Sequence, residues 1–134
     1  MASLDGKIAI VTGASAPNGI GRAAAMQLAR DGATVVVTDV AGALQIDATA
    51  MDKQELLEAL VSDIRTAGGQ AMAIKVDVTS RRDIDDCVRL TNETFGAANV
   101  LVNNAGTLAG TGDFMASTAE DWTTSFNVNL LGVM

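Results

Sequence analysis

A glycine-rich segment, TGASAPNGIG at residues 12–21, separates an apolar strand from an alanine-rich helix. We predict the strand over residues 7–12 and the helix over residues 19–31, with Gly32 ending it. Such a turn can hold an anion, because backbone N–H groups and the positive end of the helix dipole converge there and the missing Cβ atoms admit a pyrophosphate. Three glycines in ten residues also describe many ordinary turns, so this segment alone leaves both interpretations open.

Strands and helices alternate along the rest of the chain. Further strands are predicted at residues 34–38, 71–76 and 100–103, and further helices at residues 53–67, after Ser80, and from near Thr118. Strands separated by helices of this length imply a parallel sheet with right-handed crossovers, whose ligands bind beyond the carboxyl ends of the strands. We therefore predict an α/β fold, a Rossmann-type doubly wound parallel sheet that stops after the fourth strand and its following helix. Residues 1–134 are expected to form one domain.

Local signals refine this plan. Ser80, with Asp83 three residues on, predicts an N-cap for the third helix, and Ser117 with Glu120 predicts a capping box for the last one. Along the third helix, the residues predicted to face the core are Ile84, Val88 and Phe95. Residues 41–52 make a longer connection than such a unit needs, and we interpret them as a surface insertion beside the nucleotide site or as an extra turn of helix.

Composition excludes several functions. Apolar residues make up 49% of the chain and charged residues 19%, which predicts a folded globular protein. The net charge of −7 argues against nucleic acid or an anionic membrane as a partner. With no histidine and one cysteine, Cys87, no metal site is expected, and Cys87 is predicted to pack in the core. The absence of a signal peptide and of a long apolar run predicts a cytoplasmic location.

Asp39 ends the second predicted strand, 18 residues after Gly21. A carboxylate at this position can accept both hydroxyls of an adenosine ribose and would repel a 2′-phosphate. No arginine or lysine lies between Gly13 and Gly19, or within several residues after Asp39. The pattern therefore predicts NAD(H) rather than NADP(H) as the cofactor, with a surface turn aspartate as the alternative.

The next two strand ends also carry candidate residues. Asp77 can accept a hydrogen bond from an adenine amino group and Val78 can offer its N–H to a ring nitrogen, unless Asp77 merely starts the turn into the next helix. Residues 103–106, Asn-Asn-Ala-Gly, follow the fourth strand. Two adjacent amides can tie neighbouring strands by hydrogen bonds to the backbone, and the small residues let a ribose lie against the chain.

Together these segments resemble the N-terminal half of the short-chain dehydrogenase/reductase family. The matching elements are residues 12–21, Asp39, residues 77–78, residues 103–106, and Val-Asn-Leu-Leu-Gly at residues 128–132. The resemblance implies an oxidoreductase that uses NAD(P)(H) on a small-molecule alcohol or ketone, and that assembles as a homodimer or homotetramer. The cofactor-binding candidates are Gly13, Ser15, Asn18, Gly19, Ile20, Gly21, Asp39, Val40, Asp77, Val78, Asn104, Ala105 and Gly106.

The resemblance also implies an Asn-Ser-Tyr-Lys catalytic tetrad, in which Asn129 is the asparagine that helps hold a proton-relay water. Asn127 competes for this role, but residues two apart on a helix point to nearly opposite faces. The Val-Asn-Leu-x-Gly match selects Asn129, with a buried structural asparagine as the alternative.

Two features depart from the family pattern. Five residues, rather than the usual three, separate the first two glycines of the loop, and we expect the extra ones to bulge outward. The chain has no tyrosine and no lysine after Lys75. As written it is therefore expected to bind a nucleotide without turnover, and to be a fragment of a longer enzyme. The alternative is a non-catalytic nucleotide-binding or redox-sensing module.

Overall fold

The computed structural model describes residues 3–110 and 112–134. In chain order the elements are β1 (Ile8–Val11), α1 (Ile20–Arg30), β2 (Thr34–Asp39), β3 (Ala43–Ile46), β4 (Thr49–Asp52), α2 (Lys53–Thr66), β5 (Ala71–Lys75), α3 (Arg81–Thr94), β6 (Val100–Val102), a 3-10 turn (Phe114–Ala116), α4 (Ala119–Asn129) and a second 3-10 turn (Leu131–Val133). Strand and helix types agree with the sequence pattern, and most of the predicted boundaries fall within one or two residues of those observed.

Four strands form a parallel sheet in the order β5-β2-β1-β6. Alternate residues of the valine run in β2 face opposite sides of this sheet. Val35 and Val37 pack with the buried side chains of α1 and α2, whereas Val36 packs with Cys87 of α3. Helices therefore cover both faces, and the predicted Rossmann-type parallel sheet is confirmed.

The connection at residues 41–52 holds an antiparallel hairpin of β3 and β4, with Ala43 paired to Asp52 and Ile46 paired to Thr49. The alternative of an extra helical turn is therefore wrong, while a surface insertion agrees with the largely exposed strands. A two-residue turn needs a residue that tolerates the left-handed region, and Asp47 adopts it with φ 53°. Asp52 then caps α2 by accepting from the N–H groups of Gln54 and Glu55.

The predicted inner face of α3 needs one correction. Val88 is 46% exposed, and Thr91 takes the inward position instead, where its hydroxyl donates to the carbonyl of Cys87 at 2.7 Å. Cys87 itself is buried, as predicted.

The predicted capping box of the last helix lies one residue too early. Thr118 and Asp121 form it, with α4 beginning at Ala119, because the Ser117 hydroxyl is directed to the carbonyl of Gly110. The predicted cap of α3 is confirmed, since the side chain of Ser80 accepts from the N–H of Asp83.

Candidate functional site

A cleft of about 540 Å³ opens at the carboxyl ends of the parallel strands. The predicted residues that line it are Gly13, Ser15, Asp39, Val40, Asp77, Val78, Asn104, Ala105 and Gly106. The topology explains this convergence, because parallel strands all deliver their C-terminal residues to the same edge of the sheet. The cleft is also lined by Leu44 of the hairpin, Lys53 of α2, and Thr124, Asn127 and Val128 of α4.

The glycine loop packs directly against the turn that follows β6. Gly13 has φ +65°, and a Cβ there would lie 2.6 Å from the Cα of Ala105. A Cβ on Gly21 would lie 2.9 Å from the carbonyl of Gly13 and would also meet the side chain of Asn104. Glycine at both positions therefore lets the turns after β1 and β6 touch, which forms one wall of the cleft.

The N-terminus of α1 carries no competing anion. Gly19 is its N-cap and supplies no side-chain hydrogen bond, and the first turn of the described helix contains no acidic residue. The first-turn N–H groups of a helix lack intrahelical partners and favour negative charge nearby. Asn18 and Gly19 line a shallow groove beside the cleft rather than the cleft itself, and Ile20 is 81% exposed.

The carboxylate of Asp39 is held from several sides. Its Oδ2 accepts from the N–H of Ser15 at 3.1 Å and from the Ser15 hydroxyl at 2.7 Å. Its Oδ1 accepts from the N–H of Val40 at 2.8 Å and faces the Nζ of Lys53 at 3.4 Å. Ser15 is almost completely buried, so the glycine loop and the end of β2 are linked through this carboxylate.

Sequence reasoning missed Lys53, because it counted only the cations close to Asp39 along the chain. Fourteen residues separate the two, but the hairpin folds back so that the N–H of Lys53 donates to the carbonyl of Gly42 at 2.9 Å. The signal that could have found Lys53 is the strand-like pattern on either side of Asp47-Ala48. This pattern predicts a hairpin, which brings the chain back to the end of β2.

Asn104 connects the ends of β1 and β6. Its Nδ2 donates to the carbonyls of Thr12 and Gly13, both at 2.9 Å. The Thr12 hydroxyl in turn accepts from the N–H groups of Asn104 and Ala105 at 3.1 and 3.0 Å. Asn103 is exposed, so one amide of the predicted pair ties these strands. Thr12 was not singled out from the sequence, although it is a polar residue that ends an apolar strand.

Asp77 lines the cleft and also starts the turn into α3. Its Oδ1 accepts from the N–H and the hydroxyl of Thr79 at 2.8 and 2.7 Å. The N–H of Asp77 donates to Asp83 at 2.9 Å. This hydrogen bond, together with one from the Ser80 hydroxyl, lowers the pKa of Asp83 below its usual range.

The two asparagines near the end of α4 occupy different places. Asn127 lines the cleft. The Oδ1 of Asn129 accepts from the N–H of Thr107 at 2.8 Å, and its Nδ2 donates to the carbonyl of Thr107 at 3.0 Å and to the Ser125 hydroxyl at 3.2 Å. Asn129 is exposed in the part of the chain that the structure describes, and it holds the chain that leaves the Asn-Asn-Ala-Gly turn.

A parallel sheet covered on both faces, with a polar cleft at the strand ends, defines a Rossmann-type α/β domain. A family model described as short chain dehydrogenase matches residues 7–134. The chain therefore belongs to the short-chain dehydrogenase family.

Individual relatives agree with this assignment. An oxidoreductase of Methylorubrum extorquens, itself uncharacterized, is 39% identical over 100% of this chain and 48% of its own length. A 3-oxoacyl-[acyl-carrier-protein] reductase of Synechocystis is 35% identical over 99% of this chain and 48% of its own length. A solved short-chain dehydrogenase/reductase of Serratia marcescens superimposes with a TM-score of 0.80 at 35% identity, covering 97% of this chain and 47% of that one. The chain thus spans about half the length of the curated relatives it matches.

Within residues 3–110 and 112–134, no helix is both long and apolar enough to cross a membrane. Across the same part of the chain, no group of three or more His, Cys, Asp or Glu side chains is arranged to hold a metal ion.

Proposed function

We propose that this protein is an NAD(H)-dependent oxidoreductase that transfers hydride between the cofactor and a small-molecule alcohol or ketone, with residues 1–134 as its cofactor-binding domain. The observation that carries the proposal is the carboxylate of Asp39, which lines the cleft beside the glycine loop and is oriented by Ser15 and Val40. A carboxylate at the end of the second strand of such a sheet is the group that accepts ribose hydroxyls in NAD-binding domains.

The residues present fit a dinucleotide that extends from the cleft to the N-terminus of α1. The uncapped N-terminus of α1 and the loop that contains Gly13 suit a pyrophosphate, because they offer backbone N–H groups and no acidic side chain. Asp77 and Val78 would bound the adenine, and residues 104–106 would lie against the second ribose. When bound, the nicotinamide supplies or accepts the hydride. Asn129 would position this end of the cleft through its pair of hydrogen bonds to Thr107.

Proton transfer needs a group of suitable pKa within hydrogen-bond reach of the substrate oxygen. The 134 residues contain no tyrosine and no histidine, and the carboxylates of Asp39 and Asp77 belong to the cofactor side of the cleft. We therefore assign binding and orientation of the cofactor to this chain, and assign the tyrosine and lysine of the family tetrad to sequence outside it. The proposal includes a homodimer or homotetramer, as the family resemblance suggests, and the cytoplasmic location that the sequence predicts.

Cofactor binding by the intact protein tests the proposal. Titration with NADH, followed by calorimetry and by nicotinamide fluorescence, is expected to give saturable binding that Asp39→Asn weakens by about tenfold or more, equivalent to about 1.4 kcal/mol. Asp5→Asn, an exposed change at the opposite end of β1, is the matched control and should bind as the unchanged protein does. Absence of NADH binding, or equal binding by the two Asp variants, would contradict the proposal.

An assay of NADH oxidation distinguishes the proposed oxidoreductase from a non-catalytic nucleotide-binding module. The intact protein should oxidise NADH in the presence of at least one member of a panel of simple ketones and 3-oxoacyl thioesters. The 3-oxoacyl thioesters are included because the Synechocystis relative is named as a reductase of that class. Tight NADH binding with no oxidation across such a panel would instead favour a nucleotide-binding or redox-sensing module.

A further inference from the structure

The acceptor sites of the Asp39 carboxylate are already filled. A carboxylate offers about four lone-pair sites, and here these face the Ser15 N–H, the Ser15 hydroxyl, the Val40 N–H and the Lys53 ammonium. The first three donors belong to the glycine loop and the end of β2. They cannot leave without moving the backbone or a buried side chain, so only Lys53 can yield its place to a ligand.

Lys53 reaches this position through the hairpin rather than through sequence proximity. The pairing of β3 with β4 and the hydrogen bond from Lys53 N–H to the Gly42 carbonyl return the chain to the end of β2. Asp52, the N-cap of α2, fixes the start of the helix at Lys53. The side chains of Lys53 and Asp39 are only 21% and 12% exposed, so the pair is largely shielded from solvent.

We propose that Lys53 is a specificity-determining residue that reduces the preference for NAD(H) over NADP(H). The inference rests on the proposed function, since it concerns the same end of the same cleft. Asp39 alone would repel a 2′-phosphate, and that repulsion is the basis of NAD preference. A cation paired with this carboxylate offsets its charge. The Lys53 ammonium, released from Oδ1 when a ribose binds, stays within reach of a phosphate on the 2′ oxygen.

The same geometry predicts opposite effects on the two cofactors. For NADP(H), loss of the ammonium removes the one cation that lines the cleft among residues 3–110 and 112–134 and leaves the Asp39 charge unopposed. For NAD(H), loss of the ammonium frees an acceptor site on Oδ1 for a ribose hydroxyl. Both effects move the ratio of the two affinities in the same direction, so the ratio is the quantity to measure.

The experiment compares NADH and NADPH affinities of the intact protein and its variants by calorimetry. Lys53→Met is expected to raise the ratio of NADH to NADPH affinity by about tenfold, or about 1.4 kcal/mol. Lys53→Arg keeps the charge and should keep the ratio within about threefold of the unchanged protein, or about 0.7 kcal/mol. Lys7→Met removes the same charge at the opposite end of β1, where the side chain is exposed, and should leave the ratio unchanged.

A structural role for Lys53 would lower both affinities together and leave their ratio unchanged, which overturns the proposal. Lys53→Gln, with a polar head group of similar length, repeats the test should the methionine variant fail to fold by circular dichroism. In the unchanged protein, raising the ionic strength should weaken NADPH binding more than NADH binding, and an equal loss would contradict the proposal. Failure of both cofactors to bind overturns the proposed function as well, whereas NADH binding with a fixed ratio overturns the role of Lys53 alone.

Discussion

The β1–α1–β2 unit and the segment at residues 113–134 make an instructive comparison. All four residues of β1 are buried, and so are Val35, Val36, Val37 and Thr38 of β2. By contrast, none of the fully described residues of α4 is buried. Its aromatic side chains Trp122 and Phe126 are 47% and 54% exposed, with ring centroids 6.2 Å apart.

Both regions nevertheless have well-formed local structure. The capping box of Thr118 and Asp121 starts α4, and Asn129 binds the backbone of Thr107. Within the described residues, the β1–α1–β2 unit therefore depends on buried apolar area, whereas α4 depends on caps and polar contacts at its two ends. Burial contributes far more free energy than exposed hydrogen bonds do, so mutations in the two regions should have very different costs.

Two leucines give the largest test of this difference. Leu60 on α2 is fully buried in the cluster that covers β1 and β2, whereas Leu130 at the end of α4 is 54% exposed. Leu60→Ala should lower the free energy of unfolding by about 2–5 kcal/mol, because it leaves a cavity. Leu130→Ala should cost less than about 1 kcal/mol. Urea denaturation of the 134-residue chain measures both, and similar costs would mean that α4 is packed as tightly as the core.

The adjacent asparagines at the end of β6 give an intermediate test. Asn104→Ala removes donors from the carbonyls of Thr12 and Gly13 and should cost about 1–3 kcal/mol. The neighbouring Asn103 is exposed, and Asn103→Ala should change stability by no more than about 0.5 kcal/mol. The same urea experiment compares the pair. Equal costs would show that the link between β1 and β6 does not depend on the Asn104 amide.

The smallest effect concerns Asp83 and Asp121, the aspartates in the first turns of α3 and α4 that bind the N-cap residues. Hydrogen bonds from the Asp77 N–H and the Ser80 hydroxyl lower the pKa of Asp83, and those from the Thr118 N–H and hydroxyl lower the pKa of Asp121. A carboxyl whose pKa is lower in the folded state contributes stability above its unfolded pKa, and this contribution is lost as pH falls through the folded pKa. Both aspartates should therefore stabilise the protein fully above about pH 4 and progressively less in stronger acid.

Carbon-13 NMR titration of the two carboxyls in the intact protein checks this directly. Both pKa values are expected below 3.8. An Asp121 pKa that is not lowered, together with a lowered pKa for Asp83, would mean that the start of α4 is frayed. That result would increase the contrast between the two regions.

Much of this architecture was predictable from local pattern. The apolar strands, the glycines that end helices and the Ser80 N-cap can be predicted because each depends on residues within a few positions of one another. The errors concern features that local pattern does not decide. Cys87 and Val88 are adjacent in sequence, but Cys87 is buried and Val88 is 46% exposed. Choosing between Val88 and Thr91 for the inner face requires knowing how α3 is rotated against the sheet. The shift of the capping box from Ser117 to Thr118 depends on the contact of Ser117 with Gly110.

The sequence by itself determined the alternation of the four parallel strands with helices and the placement of Asp39 at the end of β2, since periodicity and chain connectivity dictate these. Only the tertiary structure decided which side chains meet at the cleft. Asn104 reaches Thr12 across 92 residues, and Lys53 reaches Asp39 because a hairpin closes between them. Such contacts depend on the three-dimensional path of the backbone, and the charge environment of Asp39 is therefore set by a cation that lies close in space but distant along the chain.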